Sequence, residues 1–317
     1  MLFLAVQSVL SLSLLILVGW LFFPCSWFGE EGASFLTKFT VRICIPCYMT
    51  YTVYTTCESP QALLTLVKSL PIPISYMLIS LACSLALSRL FRVEISRRGV
   101  FINACTFCNC VIVGFPVVEA LFGAELLPKA LIYYMANTIL FWSLGVYYLR
   151  RDSGNQVPLL SLEGIKKIFS PALVMFLVGC ALVLLNLTIP DFLFTPLEML
   201  SKASTPLAMV FIGGIIRNTN FKASGLSRDL LAILGMRFLF SPLLMAAICL
   251  VLPIPSADKM VFFVFSTMPA MTQLGIMAKE SGSDYRFASA AVGITTLLSM
   301  VSIPLYMWLM QATGIFA

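Results

Sequence analysis

At 317 residues, 60% hydrophobic and 11% charged, with no histidine and a net charge of +6, the chain lies far from the soluble balance of roughly half apolar and a quarter charged. Composition excludes a soluble globular domain, and the missing histidine removes Ser-His and Cys-His nucleophiles and every His-containing metal site. At about 20 apolar residues per membrane-spanning helix, the length accommodates roughly ten spans and no separate soluble domain.

Apolar runs occur at 2–23, 34–56, 72–90, 100–122, 128–149, 168–188, 195–216, 229–252, 258–279 and 286–310. The first is preceded by no Lys or Arg and is long enough to span, so it reads as a transmembrane helix rather than a signal peptide. The most polar stretch, Arg150 to Lys167, parts the runs into two sets of five. These boundaries predict a first five-helix repeat at 1–149, a short cytoplasmic linker at 150–167 and a second repeat at 168–317.

Basic residues set the orientation. Arg89, Arg92, Arg97, Arg98, Arg150, Arg151, Lys166, Lys167, Arg217, Lys222, Arg228, Lys279 and Arg286 fall on the third, fifth, seventh and ninth loops; the even loops carry only Lys68, Lys129 and Lys259. The bias puts the odd loops in the cytoplasm and both termini outside a cell (inner) membrane. It also explains the +6 without nucleic acid. Because each set has an odd number of spans, the second enters the membrane inverted relative to the first.

Internal landmarks agree with a duplication. Arg42 precedes Pro46 by four residues in span 2, and Lys202 precedes Pro206 by four in span 7. Span 4 carries Gly114-Phe115-Pro116 and span 9 carries Met268-Pro269-Ala270. Proline removes an N–H and clashes with the preceding turn, so spans 4 and 9 are predicted to break near Pro116 and Pro269 and to restart there as half-helices. Two half-helix N-termini at mid-membrane, each worth about half a positive charge, make a place for an anion. The few uncharged polar groups nearby are Asn109, Thr272 and Gln273.

Charged residues within the spans carry two readings. Lys38 and Arg42 fit snorkelling at the cytoplasmic start of span 2, whereas Lys202 and Arg237 lie nearer the span interiors, where ionisable residues are functional candidates. Glu119, one turn past Pro116, either faces the cavity and carries a proton or pairs a cation, or lies at the outer interface beside Gly123 and Glu125. Asn103 and Asn137 suit bonds between helices. The ten cysteines, including Cys44/Cys47 and Cys105/Cys108/Cys110, lie mostly within apolar runs and read as small buried hydrophobes rather than metal ligands.

Asn109 followed by Gly114-Phe-Pro116 and Leu121-Phe-Gly123 in span 4 resembles the Asn-and-Gly-x-Pro crossover of the auxin efflux carrier family. Ile45-Pro46, Ser170-Pro171, Thr205-Pro206-Leu-Ala with Ile212-Gly-Gly, and Met268-Pro269-Ala270 before Ala278-Lys-Glu-Ser-Gly282 extend the resemblance over nearly the whole chain. The resemblance implies an all-α polytopic membrane protein, with ten transmembrane helices in two inverted five-helix repeats and the fold of the bile acid sodium symporters. It further implies a scaffold of helices 1, 2, 6 and 7, a transport domain of helices 3–5 and 8–10, and broken, crossing helices 4 and 9 that bind an organic anion. The short central loop, and Thr272-Gln273 where the plant branch usually has Asn, favour a compact prokaryote-type member over an auxin carrier.

The expected function is secondary active transport of a small organic anion, a carboxylate or dicarboxylate such as malate or malonate, by alternating access. Asn109, Gly114, Phe115, Pro116, Met268, Pro269, Ala270, Thr272 and Gln273 form the expected substrate site. Arg42, Glu119, Lys202 and Arg237 are the candidates for charge or coupling, with H⁺ or Na⁺ as the ion and no cofactor or metal. A homodimer through the scaffold helices is the expected assembly. The alternative is a non-transporting receptor or lipid- or ligand-binding module; an enzyme is not expected, because no paired-carboxylate motif is present.

Overall fold

A helix apolar on every side has no face to offer water, so it must be covered by protein or lipid. The computed structural model describes residues 2–57, 59–152, 169–218 and 227–313, and among them the apolar runs are helical and no strand forms. In chain order the helices are α1 (Leu2–Phe22), α2 (Gly29–Phe39), α3 (Ile45–Thr56), α4 (Pro60–Lys68), α5 (Pro71–Leu90), α6 (Ile95–Thr106), α7 (Phe115–Phe122), α8 (Leu127–Leu140), α9 (Val146–Asp152) and α10 (Pro171–Leu184). Then follow α11 (Asp191–Asn218), α12 (Arg228–Gly235), α13 (Ser241–Val251), α14 (Ser256–Ser266), α15 (Gln273–Ser281) and α16 (Tyr285–Thr313). Four helical stretches, Leu66–Leu90, Ala124–Arg151, Arg228–Val251 and Tyr285–Met310, are long and apolar enough to cross a membrane. The short helix α4 occupies a segment read from the sequence as loop. Most of the predicted linker lies outside the described residues; Arg150 to Asp152 continue α9.

Polarity runs opposite to that of a soluble protein. Phe192, Leu243, Val251 and Val301 point outward, with Val251 80% exposed, while Ser80, Ser84, Asn103, Asn137, Thr295 and Ser299 are buried. A soluble monomer rarely presents so much apolar surface. This polytopic pattern suits a lipid surround.

Five-residue π turns interrupt several helices, and three of them stand two residues ahead of a proline. Thr40–Cys44 precedes Pro46, Cys110–Gly114 precedes Pro116 and Met236–Phe240 precedes Pro242. Proline's ring clashes with the carbonyl four residues back, which in each case lies inside the widened turn. The turn absorbs the clash and the helix runs on. This corrects the expectation for span 4: Pro116 sits in the first turn of α7, directly continuous with Cys110–Gly114, and the break lies earlier, at Phe107–Asn109. In span 9 the break covers Thr267 to Thr272 and contains Pro269, but the helix restarts at Gln273 rather than at the proline.

The chain divides by contacts into two units. The first comprises Met1–Leu70, Val111–Ile132 and Phe169–Asn218. In it α1 and α11 approach backbone to backbone at Gly19 and Gly213: a Cβ on Gly19 would strike the Val210 carbonyl, and one on Gly213 the Ile16 carbonyl. Only glycine lets two helices pack so closely. Helix α3 lies against α10 and α11, tied by the Thr50 hydroxyl donating to the Met175 carbonyl at 2.7 Å. Helix α10 starts on Ser170, whose hydroxyl accepts from the Leu173 N–H at 3.4 Å, with Pro171 in its first turn.

The second unit comprises Pro71–Cys110, Tyr133–Ile168 and Thr219–Ala317. Its core joins Phe101, Ile102 and Phe107 of the span 4 segment to Phe141, Leu274, Met277, Ala288 and Ala291. Both interrupted segments, Phe107–Asn109 and Thr267–Thr272, lie within this unit.

Candidate functional site

Where a helix stops inside an apolar core, its last carbonyls and the next amides lose their partners and must find others. At Phe107–Asn109 and Thr267–Thr272 the two interrupted segments supply one another. Cys108 and Ala270 form an isolated antiparallel bridge, and the Asn109 N–H donates to the Pro269 carbonyl at 2.9 Å. Side chains complete the set: the Asn137 amide accepts from the Cys108 N–H at 3.1 Å and donates to its carbonyl at 3.3 Å, while the Thr295 hydroxyl accepts from the Ala270 N–H at 3.1 Å. Asn137 lies 29 residues beyond Cys108, and Thr295 lies 25 beyond Ala270.

Arg237 takes four carbonyls. Its side chain is 0% exposed; Nε donates to Met268 O at 2.9 Å, Nη1 to Cys105 O at 3.1 Å and Thr106 O at 3.3 Å, and Nη2 makes a longer contact to Pro269 O at 3.5 Å. Cys105 and Thr106 end α6, and Met268 and Pro269 follow the end of α14. Each helix C-terminus carries about half a negative charge, so two of them roughly balance one guanidinium. The five donors of its planar fork match a cluster of carbonyls in a way that the point charge of lysine does not. Arg237 is thus committed to the backbone of both breaks.

Asn109 and Thr272 meet at the same place. Asn109 is 4% exposed and its Nδ2 donates to Thr272 Oγ1 at 2.5 Å. A hydroxyl that accepts still has its own proton to donate, so half-buried Thr272 presents an O–H where the segment turns into α15. Gln273, also half-buried, is the first residue of α15, a helix whose start carries no side-chain cap. This corner thus gathers the uncharged polar groups Asn109, Thr272 and Gln273 at the start of α15. The other predicted residues of span 4 fall in the first unit. Gly114 and Pro116 are buried there, and the Phe115 ring lies 5.9 Å from that of Tyr48.

The charged candidates have separate surroundings. Arg42 is exposed, and Lys202 pairs with Glu198 at 2.8 Å with 69% of its side chain exposed. Half-buried Glu119 accepts from the Thr205 hydroxyl at 3.1 Å and from the Tyr48 hydroxyl at 3.4 Å. Its neighbours are helices of the first unit, at the middle of α11 rather than at its ends. At the loop before α16, Asp284 accepts from Arg97 Nε at 2.8 Å and from the Phe287 N–H at 2.9 Å. Burial pushes Asp284 up, but those donors outweigh it and hold its carboxyl below the usual range.

The ten cysteines are unpaired as disulfides. Cys108 and Cys110 approach to 3.3 Å between sulfurs, yet no group of three metal-ligating side chains gathers among the described residues. Asn137 does bond across segments, as expected, though the sequence did not name the Cys108 backbone as its partner, and Thr295 was passed over. Their signal was faint: a polar residue in an apolar span at similar distances beyond two suspected breaks.

Residues 4–307 match the membrane transport protein family. The chain belongs to that family. The resemblance to auxin efflux carriers therefore extends over nearly the whole chain, and this family member is a membrane transporter rather than an enzyme. An uncharacterized transporter of Methanothermobacter thermautotrophicus is 28% identical over 303 residues, covering 95% of this chain and 96% of that protein. An uncharacterized transporter of Methanocaldococcus jannaschii is 24% identical over 306 residues, covering 95% and 97%.

Proposed function

We propose that the protein is a secondary active transporter of a small organic anion, a carboxylate or dicarboxylate of the size of malonate or malate. Substrate binds where the span 4 and span 9 segments cross. The observation that carries the reading is the pair of mutually satisfied breaks at Cys108 and Ala270, with Asn109, Thr272 and the start of α15 beside them. Apolar side chains and rings line any helix bundle; an interrupted backbone held open by a buried arginine serves a purpose in a transporter, because unwound segments in membranes line binding sites.

In this proposal ten spans form two inverted repeats with both termini outside the cell membrane. The matched roles of Asn137 and Thr295, one from each half at similar spacing, support the duplication. Helices 1, 2, 6 and 7 form a scaffold, through which two copies pair, and helices 3–5 and 8–10 move to give alternating access. The contact grouping supports part of this: it gathers α1–α4, α10 and α11 apart from α5, α6, α9 and α12–α16, but it puts Val111–Ile132, the end of span 4 and the start of span 5, with the first set.

The test is counterflow in proteoliposomes over a panel of mono- and dicarboxylates. Saturable exchange that weakens in Asn109→Ala is expected. Carboxylate binding without flux would replace the carrier by a receptor, and flux of cations or neutral solutes alone would remove the anion from the proposal.

A further inference from the structure

Four ionisable residues in the spans stand out from the sequence, and three are already accounted for by their surroundings. Arg237 is sealed against four carbonyls, Lys202 is paired with Glu198 at the surface, and Arg42 is exposed. Glu119 differs. Its Oε2 receives both hydroxyls, Thr205 Oγ1 and Tyr48 Oη, and both partners are uncharged. Thr205 stands midway along the 28-residue helix α11. At 1.5 Å per residue that helix is about 42 Å long, so the carboxylate sits on the order of 20 Å from either end. Tyr48 and Thr205, with Ile45, Phe115 and Pro116, also line a small open cleft.

We propose that Glu119 is the protonation site through which a pH gradient drives this carrier, with Tyr48 and Thr205 as its positioning residues. The inference rests on the transport reading and deepens it. An anionic carboxylate with only neutral partners is costly once it is shut off from water, whereas the protonated acid is not. The step is a simple exchange: Glu119 takes a proton from solution on one side when it is open there and releases it on the other. No other bond changes.

The charged and titratable groups facing this point come from two helices. Helix α3 brings Tyr48 and Tyr51, the latter donating to Glu198 at 3.2 Å; α11 brings Glu198 and its partner Lys202. Helix α1, packed on α7, brings none, and Glu125 beyond Gly123 is exposed.

The experiment has two arms on the purified full chain. In the first, infrared difference spectra between acidic and neutral buffer are compared for the wild type, Glu119→Gln and Tyr48→Phe. A protonated-carboxyl band that vanishes in Glu119→Gln and moves in frequency in Tyr48→Phe is expected; identical spectra for all three overturn the proposal whatever the protein carries. In the second, proteoliposomes loaded with malonate, malate, acetate or indole-3-acetate are tested for counterflow and for accumulation under an inward pH gradient. One pH unit should give the wild type about tenfold accumulation at one proton per substrate. Glu119→Gln should lose that accumulation while exchange stays within about twofold, a split that a misfolded variant cannot give. Should Glu119→Gln fail to fold, Thr205→Val is expected to lower accumulation with exchange retained. Wild-type accumulation driven by sodium and indifferent to pH overturns the proton site alone. Absence of counterflow with every probe sinks the transport reading, and the infrared arm then decides the proton site by itself.

Discussion

Pro116 and Pro269 look alike in the sequence, each with a small residue nearby in a long apolar run, yet they stand in different structures. Pro269 lies inside an interruption six residues long, and its carbonyl accepts from the Asn109 N–H. Pro116 lies in an unbroken path, because the π turn Cys110–Gly114 has moved the offending carbonyl aside. The break that faces Pro269 is at Phe107–Asn109, which contains neither proline nor glycine. A helix in an apolar core opens where tertiary partners can take its backbone groups, and proline is neither necessary nor sufficient for that.

The largest test of this contrast acts through Arg237. Arg237→Gln should cost about 3–5 kcal/mol of stability, since four carbonyls at two helix ends lose a buried cation, and Arg237→Lys should recover only part. Thermal unfolding in detergent measures it; loss of under about 1 kcal/mol for the glutamine variant would mean that the breaks stand without the arginine.

The prolines themselves separate next. Pro269→Ala should reduce transport by roughly tenfold, because a restored N–H lets α14 compete for the residues that the crossing needs. Pro116→Ala should leave transport within about threefold, with any loss of stability confined to about 1 kcal/mol through the freer unfolded chain. Equal damage from the two would erase the distinction.

At the crossing, Asn109→Ala and Gln273→Ala should each weaken apparent substrate affinity by an order of magnitude, for a loss of about 1.4 kcal/mol. Competition assays on the reconstituted protein check this. An effect from Asn109 alone would place the anion on the span 4 side of the crossing.

The smallest effect belongs to the Arg97–Asp284 pair. Its carboxyl is held low in the folded state, so its stabilisation is present above the ordinary carboxylate range and is lost as pH falls through the depressed value. Asp284→Asn should therefore lower stability at neutral pH by less than about 1 kcal/mol, after solvent screening, and flatten the acid limb of a melting-temperature profile. An unchanged profile would show the pair to be inert.

Much of the helical layout was legible because apolar runs of membrane length leave few alternatives, and the ends of α1, α5, α12–α13 and α16 fall within a few residues of the predicted ones. Legible too were Asn109 and Thr272 as polar groups worth attention, since such groups are scarce in these spans, and the structure brings the two together. Helix α4 was missed because a nine-residue segment with Lys68 lacks the length of a span. Arg237 was noticed only as a charge: sequence shows that a cation lies in span 8 but not which carbonyls face it.

By itself the sequence determined the class of the molecule, the order of its helices and the family to which it belongs, because these follow from composition, run length and motifs spread along the chain. Tertiary structure alone decided where span 4 opens, which helix ends share Arg237, that Asn137 and Thr295 replace lost backbone partners, and that Glu119 rests on two hydroxyls. The reason is physical: a missing backbone hydrogen bond in an apolar core is made good by whatever polar group the fold brings near, and that group lies tens to more than a hundred residues away along the chain.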